Sequence, residues 1–186
     1  RGQPLRVRAN IESIDDDGRR AVVQVRVVTG TEAQPEALVC LVSALFQIRR
    51  SKGSSGKEKP VVPETAQEIA RMKLSKRSGL DFALLTGDFN PVHWVGLYAR
   101  LSGFRNMILH GLGTFAHTVE TLNRTVLNGQ PDQLTMLELR FTQPLVLPGT
   151  PAVYCCKDGD IYIGDAPGKA PYAMGRYTTM KEKTNE

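Results

Sequence analysis

One stretch of this chain carries a helical period long enough to cross a domain: "MILHGLGTFAHTVETLNRTV", residues 107–126. Its Ile108, Leu112, Phe115, Ala116, Val119 and Leu122 fall at offsets 0, 4, 7, 8, 11 and 14, one apolar stripe that predicts a buried helix face. Most of the rest of the chain is strand-like. "LRVRANIES" (5–13) alternates in part, "DDDG" (15–18) is a turn, "RRAVVQVRVVT" (19–29) alternates with β-branched residues, and "ALVCLVSALFQI" (37–48) is nearly all apolar. After the helix come "LTMLELRFT" (134–142), "PAVYCC" (151–156), "DIYIG" (160–164) and "AMGRYTTMK" (173–181), divided by "LPGT" and "APGKAP" turns. A helix followed by an antiparallel meander predicts an α+β fold, a curved sheet wrapped around that helix. Residues 1–50 make a meander with no helix to cover it, as if they were the strands of a second such unit. A Gly/Ser/Lys/Pro-rich linker over 51–63 then leads into a domain at 64–186. Within it, "TAQEIARMKLS" (65–75) suits helix or strand. "GLDFALLTGD" (79–88) predicts a short helix ended by Gly87, and "PVHWVGLYARLSGF" (91–104) a second one.

The bulk properties remove several function classes. The longest apolar run, "ALVCLVSALF" (37–46), contains Ser43 and is about half a membrane span, so no spanning helix is expected. The chain opens with "RGQPLRVRAN", which has neither a start Met nor a signal-peptide core, and it reads as part of a longer one. Its 3 cysteines include an adjacent pair, Cys155 and Cys156, and no CxxC. That pattern supports neither a disulfide framework nor a zinc site, and a reducing, cytoplasmic setting is expected. The formal charge is +5, but basic residues alternate with acids and form no stripe with aromatics, so nucleic acid is not the expected partner. A mild positive excess also suits a small ligand bearing phosphate.

"TGDFNPVH" (86–93) sets Asp88 five positions before His93. On an unbroken helix five positions are about 500° of rotation, so the two side chains would diverge by about 140°. Pro91 forbids that helix, yet it suits a first helical position, and Asn90 is a good N-cap. A cap at Asn90 would put His93 in a first turn and Asp88 in the bend before it, where acid and base can face one another. Downstream, Gly111 opens the long helix. Lacking a side chain, it lets a ligand approach an N–H that the helix leaves unpaired at its positive end. Such a donor suits an oxygen that gains negative charge. Gly113 reads as close packing, His117 as structural, and Trp94 and Tyr98 as pocket wall or core.

"LLTGDFNPVHWVGLYARLSGFRNMILHGLGTFA" (84–116) resembles the hydratase-2 signature of the MaoC-like dehydratases, the (R)-specific enoyl-CoA hydratases. The family pattern is Ser/Thr-Gly-Asp-x-Asn-Pro-(aliphatic)-His, then a hydrophobic-His-Gly element opening the central helix. The resemblance implies a hot-dog fold, and for 1–50 the later strands of an incomplete N-terminal hot-dog unit in a double hot-dog. It implies that Asp88 and His93 hold one water that adds to C3 of a trans-2-enoyl thioester, giving a (3R)-hydroxyacyl thioester. Gly111 N–H would receive the thioester oxygen's charge. Asn90, His110 and Trp94 are expected to contribute to substrate binding. No metal or redox cofactor is implied, because CoA or an acyl carrier protein belongs to the substrate. A homodimer, or an intrachain pseudo-dimer of hot-dog units, is expected. A hot-dog thioesterase is the alternative enzyme, but its carboxylate usually sits on the central helix, where the only acid here is Glu120. A non-catalytic acyl-thioester-binding subunit is the other alternative, and it predicts a degraded Asp/His pair.

Overall fold

The computed structural model describes residues 3–47 and 59–180. Two compact units emerge, Arg1–Lys57 and Glu58–Glu186. The first is an antiparallel sheet of three strands, β1 (Arg6–Asp16), β2 (Arg20–Gly30) and β3 (Leu38–Gln47), in the order β1-β2-β3. The β1–β2 turn is closed by Asp17, whose Oδ1 accepts the N–H groups of Arg19 and Arg20 at 2.8 and 2.6 Å, while Gly18 takes φ +75°. The expected meander is therefore present, and many of its large apolar side chains stay in solvent, among them Ile11, Leu41, Val42, Leu45 and Phe46.

The second unit contains β4 (Gln67–Arg71), α1 (Ser78–Thr86), a 3-10 turn at Pro91–His93, α2 (Gly96–Leu101) and α3 (Gly111–Thr125). A second 3-10 turn precedes β5 (Leu134–Phe141), and β6 (Ala152–Cys155), β7 (Asp160–Gly164) and β8 (Ala173–Thr179) follow. All five strands pair antiparallel in the order β4-β6-β7-β8-β5. The core lies between this sheet and α3: Leu122 packs with Met72, Leu147, Val153, Ile161 and Ile163, all nearly solvent-free. A helix laid on an antiparallel sheet in this order is the hot-dog fold. The ambiguous stretch 65–75 resolves as strand, with Met72 and Leu74 continuing past β4 to bond Pro151 and Gly149.

Two expectations need correction. Residues 51–58 of the expected linker fall outside the described residues, but its end is no linker. Val62 is fully buried, packs with Ala66, Ala152 and Tyr154, and exchanges backbone hydrogen bonds with Gly168 and Lys169. The second correction concerns α3. Its buried residues are Gly113, Thr114, Thr118 and Leu122, whereas Leu112 of the expected stripe is 64% exposed. The two threonines can be buried because each hydroxyl donates to the carbonyl four residues back, Thr118 to Thr114 at 2.9 Å and Thr114 to His110 at 3.4 Å. The inner face is thus small and self-satisfied, letting the helix lie close to the sheet.

Candidate active site

The site is assembled by the break that Gly87 and Pro91 enforce between α1 and α2. Gly87 caps α1 in the left-handed conformation, φ +79°, and its N–H bonds the Ala83 carbonyl at 2.8 Å. The chain then folds on its own side chains. Asp88 Oδ1 accepts the Asn90 N–H at 3.2 Å, and Asn90 Oδ1 accepts the Val92 N–H at 3.3 Å, capping the 3-10 turn with Pro91 at its start. Asn90 thus caps as the sequence predicts, and its side-chain oxygen is occupied in the loop. Trp94 is likewise used locally: its indole N–H donates to the Phe89 carbonyl at 3.3 Å, and the residue is 38% exposed. Neither Trp94 nor the exposed Tyr98 is core.

The turn is pressed against α1 from behind. A Cβ on Gly79 would stand 1.9 Å from the His93 carbonyl oxygen, so only glycine permits this approach. In front, His93 Nδ1 lies 2.9 Å from the Ile108 carbonyl. A carbonyl only accepts, so Nδ1 carries the proton and Nε2 keeps its lone pair. Burial pushes the His93 pKa below its ordinary 6.5, with a further push from His110, against the opposing Ile108 bond and Asp88 charge. A neutral His93 with a bare Nε2 is a base at neutral pH.

His110 immediately precedes α3. It is 3% exposed, its ring stacks on His93 with centroids 3.5 Å apart and planes 23° apart, and Phe82 lies on it at 4.9 Å. Its Nε2 is 3.1 Å from the Asp88 carbonyl oxygen and 3.8 Å from Asp88 Oδ2. One carboxylate oxygen of Asp88 and one ring nitrogen each of His93 and His110 lie within 4.8 Å of one another. The bend between Asp88 and His93 therefore brings them together. A water about 2.8 Å from acid and base would bridge such a gap at an angle up to about 118°. The same trio suits a metal ion poorly. Imidazole lone pairs lie in the ring plane, and two stacked rings aim theirs side by side rather than at one point about 2.0–2.1 Å away.

Gly111 is the first residue of α3, and its N–H takes no partner among the described residues. A Cβ there would touch the Phe141 ring at 3.3 Å, so the glycine keeps a narrow space between the helix start and β5. His117 is exposed, one helix turn and more beyond this end. Sequence reasoning missed Phe141, Gly79 and the two carbonyls, of Ile108 and Asp88, that set the histidine tautomers. Only Gly79, a small residue opening α1, left any trace in the sequence.

The sheet, its single long helix and the polar cluster at that helix's N-terminus define a hot-dog domain with an acid–histidine site. Residues 58–163 match the family model described as "MaoC like domain", more than half of the chain, and the chain belongs to that family. Its relatives include the peroxisomal enoyl-CoA hydratase 2 of Arabidopsis thaliana, 24% identical over 76% of this chain and 50% of that protein. The 3-hydroxyacyl-thioester dehydratase Y of Mycobacterium tuberculosis is 31% identical over 78% of this chain and 52% of its own length. Among solved structures, a MaoC-like dehydratase from Phytophthora capsici superposes with a TM-score of 0.71 at 19% identity, over 94% of this chain and 65% of that one. The chain spans about half the length of the curated relatives it matches.

Proposed function

We propose that the C-terminal unit hydrates trans-2-enoyl thioesters reversibly to (3R)-hydroxyacyl thioesters. The observation that carries this reading is the Asp88–His93 pair: a carboxylate oxygen and an imidazole nitrogen lie within 4.8 Å of one another, and the Ile108 carbonyl holds the proton on Nδ1, leaving Nε2 as the basic nitrogen. The water sits between the two. His93 Nε2 takes one proton as the oxygen bonds C3, while Asp88 accepts a hydrogen bond from the other, which stays on the oxygen as the 3-hydroxyl. The C2–C3 π pair moves toward the thioester carbonyl, whose oxygen gains charge beside the Gly111 N–H. A proton then returns from the pair to C2 on the same face, so one water is consumed and nothing is oxidised or reduced. CoA or an acyl carrier protein is the thiol portion of the substrate and stays bonded to the acyl carbon throughout, and no metal or redox cofactor takes part in this scheme. Asn90 and Trp94 hold the loop in this scheme rather than grip substrate.

Glu120, the acid a hot-dog thioesterase would need on α3, pairs with Arg124 on an exposed face, which argues against that alternative. An intact acid–base pair argues against a non-catalytic acyl-binding subunit. The full assembly is proposed to be a homodimer or a pseudo-dimer of hot-dog units. No helix among the described residues is long and apolar enough to cross a membrane. Cys40, Cys155 and Cys156 are free, which supports a reducing compartment such as the cytoplasm. The test is loss of enone absorbance when the protein meets crotonyl-CoA, with chiral analysis of the product. Formation of the 3R product supports the reading. A folded protein inactive on short and long enoyl-CoA and on enoyl carrier-protein thioesters would overturn it.

A further inference from the structure

We infer that His110 is a positioning residue that clamps the Asp88 loop to the His93 base, through its Nε2–H on the Asp88 carbonyl and its ring on the His93 ring. The inference rests on the hydration reading for its kinetic consequence, not for its geometry. Four observations carry it. First, among the described residues the backbone of Asp88–Asn90 receives one hydrogen bond from outside residues 86–94, and His110 donates it from 22 positions away. Second, His110 Nδ1 is buried and has no hydrogen-bond partner among the described residues. An unsatisfied buried acceptor is a penalty that a phenyl ring of similar shape would avoid. The imidazole is therefore present for what its other nitrogen does. Third, although His110 stands at the N-cap of α3, its side chain makes no capping bond, so the helix does not account for it either. Fourth, the 3.5 Å stack fixes the plane of the His93 ring, whose in-plane direction is already set by Ile108.

The position next in sequence makes the clamp useful. Gly111 offers the free N–H for the thioester oxygen, whereas His110 holds the acid that faces C3. Two consecutive residues thus tie together the groups that meet the two ends of the reacting enoyl unit. A shift of the loop against the helix start would change that span, and a misplacement near 1 Å can cost about 10²-fold in rate. A side chain 3% exposed cannot do much gripping of substrate itself, so the binding role expected of His110 from sequence gives way to this one.

Two substitutions separate the donor from the ring. His110→Phe keeps an aromatic ring over His93 and removes the N–H, whereas His110→Gln keeps an N–H near the Nε2 position and removes the ring. With crotonyl-CoA, His110→Phe is expected to lower kcat by roughly 10–100-fold with KM little changed, and His110→Gln to recover most of that loss. Unchanged kcat in His110→Phe would overturn the inference. So would a rise in KM alone, which is the mark of lost uniform binding. Should His110→Phe not fold, nitrogen-15 spectra of the histidines in the unmodified protein decide. They must show His110 protonated at Nε2 and bare at Nδ1, with His93 the reverse. The opposite tautomer at His110 overturns the clamp. The expected tautomers in a protein inactive on every enoyl thioester would overturn the hydration reading and leave the clamp standing.

Discussion

The chain holds two antiparallel sheets that differ in a telling way. The N-terminal one has the longer strands, 11, 11 and 10 residues, rich in Val, Ile and Leu. The C-terminal one has strands of 4 to 8 residues. Yet it is the short-stranded sheet that has a core. Ile161, Ile163, Val153 and Leu147 are fully buried there, whereas Leu41 and Leu45 of β3 are 55% and 62% exposed. The difference is α3. Strand length and β-propensity make a ladder, but a second layer is needed to take apolar surface out of water. The three histidines follow the same division: His93, His110 and His117 all belong to the unit that has the helix.

Function tests the contrast most sharply. Asp88→Asn or His93→Ala is expected to lower kcat on an enoyl-CoA by about 10²–10⁴-fold. A meander change such as Leu45→Ser should leave the proton-transfer step, read by a solvent isotope effect on kcat, unaltered. Stability comes next. Ile161→Ala should cost about 2–5 kcal/mol by urea unfolding, because it opens a cavity in a closed core. Leu41→Ala, at an exposed position, should stay within about 0.5 kcal/mol. Equal losses at the two sites would break the comparison.

The pH dependence is smaller and its sign is fixed. Folding lowers the His93 pKa below 6.5, so between the folded value and 6.5 the unfolded chain binds more proton. The stability from neutral His93 is fully present above about 6.5 and is lost as pH falls toward the folded value. A His93→Gln protein should lose less melting temperature than the parent between pH 7 and pH 5. In the parent, kcat/KM should fall on the acid side with an inflection below 6.5. Smallest of all is the exposed Glu120–Arg124 pair on α3: Arg124→Ala should change stability by about 0.5 kcal/mol or less.

Local rules made much of the site legible in the sequence. Gly87 stops α1, Asn90 caps the next turn, Pro91 starts it, and Gly111 opens α3, each for reasons confined to a few neighbouring residues. What was not legible depends on distant partners. His110 reads as one half of a His-Gly pair, and nothing within four residues of it announces the Asp88 carbonyl or the His93 ring. Phe141, thirty positions past Gly111, is equally silent. The inner face of α3 was misread because a hydropathy stripe counts threonine as polar, whereas Thr114 and Thr118 satisfy their hydroxyls on their own helix and are buried.

The Gly79 contact has a further consequence. It places the back of the base turn on α1, the Ile108 carbonyl holds the front, and His110 closes the loop, all within residues 79–111. The polar links of the site span 15 and 22 positions, whereas the sheet beneath must bring Gln67 to Cys155. Closing short loops costs less chain entropy than closing long ones, though the cost grows only slowly with length. The candidate site is therefore a contiguous cassette, whose polar links all fall within one thirty-three-residue stretch. What the strands beneath supply to it is an apolar bed, in which Val153, Ile161 and Ile163 are fully buried.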